Sequence, residues 1–108
     1  MIKELVHEDA FRKYLGKVLS SERLIRDCIS RSRRVELHEG NLLKHYNVDC
    51  GSSLLDRLSY SKDDANRGIE PAHGISFKGS KGYISIYEGT VSLKQAVVHY
   101  FDFLKQQG

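Results

Sequence analysis

Residues 22–38 limit what this chain can fold into more than any other stretch. At about 100° per residue, Leu24, Ile25, Cys28, Ile29, Ser32 and Val35 fall on one side of a helix. The opposite side receives Arg23, Arg26, Arg33 and Arg34, with Arg31 at its edge. Ser20 or Ser21 supplies an N-cap and Gly40 ends the pattern. An apolar stripe of this kind must be covered by other elements, so the segment predicts a helix over 21–38 packed within a small helical domain.

The rest of the chain supplies partners for that stripe. Phe11, Tyr14, Leu15 and Val18 share a face, which predicts a first helix over 8–18, with Gly16 an alternative stop. Leu42, Leu43 and Tyr46 suit one or two helical turns. A turn signal at residues 49–53 precedes Leu54, Leu55 and Leu58, which predict a short helix over 52–60. Residues 61–74 are polar, contain Gly68, Pro71 and Gly74, and read as a loop. Ile75-Ser76-Phe77 and Tyr83-Ile84-Ser85-Ile86-Tyr87 alternate in the manner of strands. With Lys78-Gly79-Ser80-Lys81-Gly82 between them they predict a β-hairpin over 75–87. Leu93, Ala96, Val97, Tyr100, Phe101 and Leu104 then predict a last helix over 91–106, with Ser92 and Gln95 at capping-box spacing. The expected fold is mainly α: one domain over 1–108, about four helices, and a hairpin inserted before the last. Its expected core contains Phe11, Leu15, Ile25, Cys28, Ile29, Leu55, Leu58, Ile84, Val97, Tyr100, Phe101 and Leu104.

Composition narrows the class. With 108 residues there is room for one ordinary core, and 40% apolar against 29% charged residues is the balance of a globular chain. Residues 1–9 lack the apolar run of a signal peptide, and no stretch approaches the length of a membrane span, so a cytoplasmic location without membrane association is expected. Two cysteines, Cys28 and Cys50, are fewer than a disulfide-framed secreted domain carries, and read as free thiols. The chain stops at Gly108, just past the last predicted helix, as a domain cut from a longer protein would.

The net charge of +3 permits an acidic partner without demanding one. The arginine side of the second helix is more specific. Guanidinium groups bind phosphate and guanine through paired hydrogen bonds, and each neutralised phosphate releases counterions. Against this stands the ordinary reading of a solvated helix face. Lys78 and Lys81 in the predicted hairpin loop could add phosphate contacts as a wing does, or simply be solvated. Tyr83 and Tyr87 share a strand face and are candidates for base stacking or for plain packing.

No metal or cofactor motif is present. His7, His38, His45, His73 and His99 with Cys50 make no C-x-x-C, H-x-x-x-H or H-E-x-x-H pattern, so no metal and no cofactor is expected. Cys50 beside Gly51, with His45 or His73 as base, is the one arrangement that hints at nucleophilic catalysis, and it lacks a third group. Asp63 and Asp64 read as a solvated pair. A chain that binds, rather than one that catalyses, is expected.

Two stretches carry a family resemblance. Phe11-Arg12-Lys13-Tyr14-Leu15, followed by Leu19-Ser20-Ser21-Glu22-Arg23-Leu24-Ile25-Arg26-Asp27-Cys28-Ile29-Ser30-Arg31-Ser32-Arg33-Arg34-Val35-Glu36, resembles the start of the SAM-like core-binding domain of tyrosine recombinases (phage integrases). Tyr100-Phe101-Asp102-Phe103-Leu104 resembles the close of that domain's last helix. The likeness covers about half the chain. It implies a helical bundle that clamps DNA during recombination, largely through phosphates, with Arg23, Arg26, Arg31, Arg33 and Arg34 as contacts. The recombinase catalytic set has no counterpart here, and the hairpin is foreign to the family's plan. The expected partner is DNA, bound with little sequence specificity. A protein partner, or a C-terminal domain beyond Gly108, is the alternative.

Overall fold

The computed structural model describes residues 4–77 and 82–107. Six α-helices are found among them: α1 Glu8–Val18, α2 Glu22–Glu39, α3 Leu42–Asp49, α4 Ser52–Arg57, α5 Lys62–Asn66 and α6 Tyr83–Gln107. The molecule measures 40 × 31 × 27 Å. α6 is the central post, with α2 packed along it most extensively and α1, α3, α4 and α5 closing around it.

The caps explain where the helices start. Ser21 Oγ accepts the Leu24 amide at 3.2 Å, and Asn41 Oδ1 accepts the Lys44 amide at 2.9 Å. At α5, Ser61 and Asp64 form a reciprocal capping box, with bonds of 3.0 and 3.1 Å. α1 lacks a side-chain cap. Instead Glu8 turns back and accepts the Leu5 amide at 3.2 Å. Gly40 ends α2 by donating to the Glu36 carbonyl at 3.0 Å.

The core is aromatic at its centre. Phe11 and Tyr100 meet edge to face at 5.0 Å between centroids, and Phe103 lies 5.4 Å from Phe11. The Tyr100 hydroxyl donates to the Val6 carbonyl at 2.7 Å, so burial leaves no orphaned phenol. That burial pushes the phenol's pKa up to about 12. Around this centre pack Leu15, Ile25, Cys28, Ile29, Val35, Leu42, Leu54, Leu58, Ile75, Leu93, Ala96, Val97, Phe101 and Leu104.

Several sequence expectations are corrected. No strand is found among the described residues, and the hairpin over 75–87 is absent from them. Residues 74–77 run without regular structure, 78–81 lie outside the described residues, and residues 83–87 form the first turns of α6. The tyrosine-isoleucine alternation is therefore carried by helix. Residues 83–87 are all partly buried, whereas a strand on a core would alternate buried and open positions. Gly82, at φ 61°, supplies the left-handed entry, and its carbonyl accepts the Ser85 and Ile86 amides. Tyr83 reaches back to Glu70, donating its hydroxyl to Oε1 at 2.8 Å.

The last helix thus spans 83–107 instead of 91–106. Gly89 lies inside α6, where the Phe77 ring presses on that position and a Cβ would clash with it. The helix expected over 52–60 ends at Arg57, and the expected loop over 61–74 holds α5. Leu55 and Ile84 are only partly buried, and Leu24 is 46% exposed despite its place on the apolar side of α2.

Candidate nucleic-acid interface

The five arginines of α2 do not form one uniform face. Arg33 is tied inward. Its Nε donates to Glu8 Oε1 at 2.7 Å, and its Nη2 pairs with Glu8 Oε2, a two-pronged bridge between α2 and α1. Arg33 holds the Glu8 carboxyl below its ordinary value against the opposing pull of desolvation, and the same bond raises Arg33. Twenty-five residues separate the partners. No local pattern in the sequence could show the pair.

Arg34 is held differently. Its Nη2 donates to the Ser76 carbonyl, and its guanidinium carbon lies 4.8 Å from the centroid of Phe77. Neither interaction neutralises it, so Arg34 keeps its charge while its side chain is fixed on the strap of residues 74–77. Phe77 in turn rests on Gly89 of α6 and meets His73 edge to face at 5.8 Å.

Arg23, Arg26 and Arg31 are exposed, and no hydrogen bond or ion pair reaches them among the described residues. Asp27 stands one turn before Arg31, yet the two form no ion pair within 4.0 Å. Arg23 and Arg34 lie eleven positions apart, roughly 16 Å along the helix axis at about 1.5 Å per residue. The structure therefore brings together Arg23, Arg26 and Arg34 on the outer side of α2, moves Arg31 to the side facing α6, and takes Arg33 out of the set. Lys78 and Lys81 lie outside the described residues.

Other clusters resolve into structural roles. His45 Nε2 donates to the Glu39 carbonyl at 2.7 Å, and Arg57 bridges Glu39 at 2.5 and 3.3 Å. Cys50 is exposed at the end of α3 with φ 58°, and no histidine is bonded to it among the described residues. Asp64 caps α5 and Asp63 lies 3.7 Å from Arg67, so the two carboxylates do not act as a pair. No group of three metal-ligating side chains is found among the described residues, and no described helix is long and apolar enough to cross a membrane.

His73 is buried between α6 and the strap. Its Nδ1 accepts the Ile75 amide at 3.2 Å, which places the proton on Nε2, and Nε2 donates to Thr90 Oγ1 at 2.8 Å. Desolvation lowers its pKa from the ordinary 6.5, with Arg57 and His38 adding to that against Glu39. A depressed folded value means that the unfolded chain binds the proton more readily. The stability His73 contributes is complete above about pH 6.5 and is lost as pH falls through the folded value. His73→Gln keeps an amide donor for Thr90, and it is expected to lower the urea midpoint more at pH 7.5 than at pH 5.5. Equal losses at both pH values would contradict this assignment.

Two of the surface hollows bear on function. The larger, about 560 Å³, lies between the α4–α5 turn and α6, and is lined by Leu58, Tyr60, Val91 and Val98 with Lys94 at its edge. The smaller, about 150 Å³, lies between α2 and α6. No known protein family, curated protein or solved structure matches this chain.

Proposed function

We propose that this chain is a non-catalytic DNA-binding module that holds the phosphate backbone through the outer side of α2. One observation carries the reading: Arg23 and Arg26 are exposed without a carboxylate partner, and Arg34 is fixed in place with its charge intact, while Arg33 is committed to Glu8. Glu22 and Asp27 stand one turn from Arg26 and Arg23 on α2, yet neither forms an ion pair with them, and the acid that does pair with an arginine of α2 sits on α1. The resemblance of α1, α2 and the end of α6 to the core-binding domain of tyrosine recombinases adds support. It favours a clamp on duplex DNA with weak sequence preference.

The binding energy is electrostatic in this reading, so it must be salt-dependent. Fluorescence anisotropy of a labelled duplex is expected to show affinity falling steeply between about 50 and 200 mM salt, the range over which counterion release dominates. Arg23→Ala/Arg26→Ala is expected to weaken binding at every salt concentration. It should also reduce the log–log slope by roughly two, about one for each phosphate no longer neutralised. An unchanged slope in that variant would remove α2 from the interface.

A second reading rests on the 560 Å³ hollow, whose apolar lining suits a protein partner. It predicts association that tolerates salt.

A further inference from the structure

The hollow between α2 and α6 differs from the outer side of α2 in shape and in donors. It is concave, about 150 Å³, with the buried Cys28 and Ala96 among its lining residues. The Cys28 thiol donates to the Ala96 carbonyl, at 3.8 Å. Arg31 lines the hollow from α2, while Gln95 and His99, one turn apart on α6, line it from across. Ser92 also lines it, but its hydroxyl hydrogen is committed to the Glu88 carbonyl at 3.3 Å. No carboxylate is among the lining residues.

These groups have one thing in common. Arg31 offers a fixed fork of N–H donors, Gln95 an amide donor, and His99 a ring N–H. No partner occupies any of the three among the described residues. A planar carboxylate would be satisfied by the arginine fork alone. Donors converging from two helices suit a tetrahedral oxyanion, whose oxygens point in several directions. α2 and α6 form the most extensive helix pairing in the fold, so the two sides of the hollow are held in register. The volume admits a phosphate group but not a nucleotide, and Leu24, 46% exposed at the rim, offers an apolar rest for whatever the phosphate is attached to.

We propose that the α2–α6 hollow is a phosphomonoester site, with Arg31, Gln95 and His99 holding the phosphate oxygens. The phosphate comes either from the 5′ end of a nucleic-acid strand or from a small phosphorylated molecule. The first source rests on the DNA-binding reading; the site itself does not.

Two titrations test it. In the first, inorganic phosphate is added to the ¹⁵N-labelled protein at constant ionic strength. The Gln95 side-chain amide and the His99 ring are expected to shift together, with half-saturation on the order of 1 mM. Arg31→Ala should abolish the shifts and Arg31→Lys should restore them only in part, because a lysine lacks the fork. Shifts no larger than those around Lys13 and Lys17, which line a separate hollow, would overturn the site. In the second, short duplexes with 5′-phosphate or 5′-hydroxyl ends are compared. About tenfold tighter binding of the phosphorylated end, abolished in Arg31→Ala but kept in Arg23→Ala, assigns the source to strand ends. Equal affinity for both ends, with the inorganic phosphate shifts intact, assigns it to a small phosphorylated molecule. Failure of either duplex to bind, with those shifts intact, sinks the DNA reading and leaves the phosphate site standing.

Discussion

Phe11→Ala is expected to cost about 3–5 kcal/mol of stability, the range for deleting a fully buried aromatic ring. Phe11 is fully buried and meets Tyr100 at 5.0 Å and Phe103 at 5.4 Å. Removing it takes away the apolar transfer term and two ring pairings, and it leaves a cavity walled by α1 and α6. Neither wall can close easily. α1 is pinned at its start by the Glu8–Arg33 bridge, and α6 is held by the Tyr100 bond to Val6. A domain of this size has roughly 5–15 kcal/mol in total, so the loss is a large share of it. Urea denaturation of the variant should show a much lower midpoint with a similar slope. A loss under about 1 kcal/mol would mean that the aromatic centre is not where the fold is held.

Gly51→Ala is expected to be nearly as damaging, for a different reason. Gly51 sits in the turn between α3 and α4 at φ 81°, a left-handed conformation that costs an L-residue roughly 1–2 kcal/mol. A Cβ there would also run into the Phe101 ring. That ring cannot swing aside, because it is buried and packed between Tyr46 and Tyr100. Overpacking of this kind adds about 1–3 kcal/mol, for a total of roughly 2–5 kcal/mol. Thermal unfolding should reveal the loss, and a Phe101→Leu background should relieve part of it by making room. If Gly51→Ala is neutral, the turn does not approach α6 this closely. The same turn places Cys50 at φ 58°, so two successive left-handed residues reverse the chain here.

The sequence was legible where periodicity was long and capped. α2 repeats its apolar residues over several turns between a serine and a glycine, and the structure starts it after Ser21 and ends it before Gly40. α1 and the second half of α6 were readable in the same way. The failures have a common cause. Residues 83–87 alternate over a window too short to separate a strand from the start of a helix, and the glycines on either side looked like turn punctuation. Gly82 does mark an entry, but Gly89 is glycine because Phe77 lies against it. Close approach and chain reversal leave the same residue in the sequence. α5 was hidden because it is a single capped turn inside a polar stretch.

The candidate interface was legible in composition and not in arrangement. All five arginines could be placed on α2, yet their division among a bridge, a strap, a hollow and open solvent depends on Glu8, Ser76, Phe77 and His99, which are remote in sequence. Long-range pairing of a charged residue leaves no local trace. Gln95 reads in the sequence as half of a capping box with Ser92, and His99 as one of five scattered histidines. Yet Ser92 lies inside α6 and bonds the Glu88 carbonyl, and neither pattern points to the hollow where Gln95 and His99 face Arg31.

The central claim is that Arg23, Arg26 and Arg34, on the outer side of α2, meet DNA while Arg33, bridged to Glu8, does not. Arginine side-chain Nε–H resonances, followed as duplex DNA is added at low salt, test it most directly. The account predicts shifts for Arg23, Arg26 and Arg34, with Arg33 unmoved in its bridge to Glu8. Shifts confined to Lys94 and the residues of the α4–α5 hollow, or shifts of Arg33 as large as those of Arg23, would contradict it.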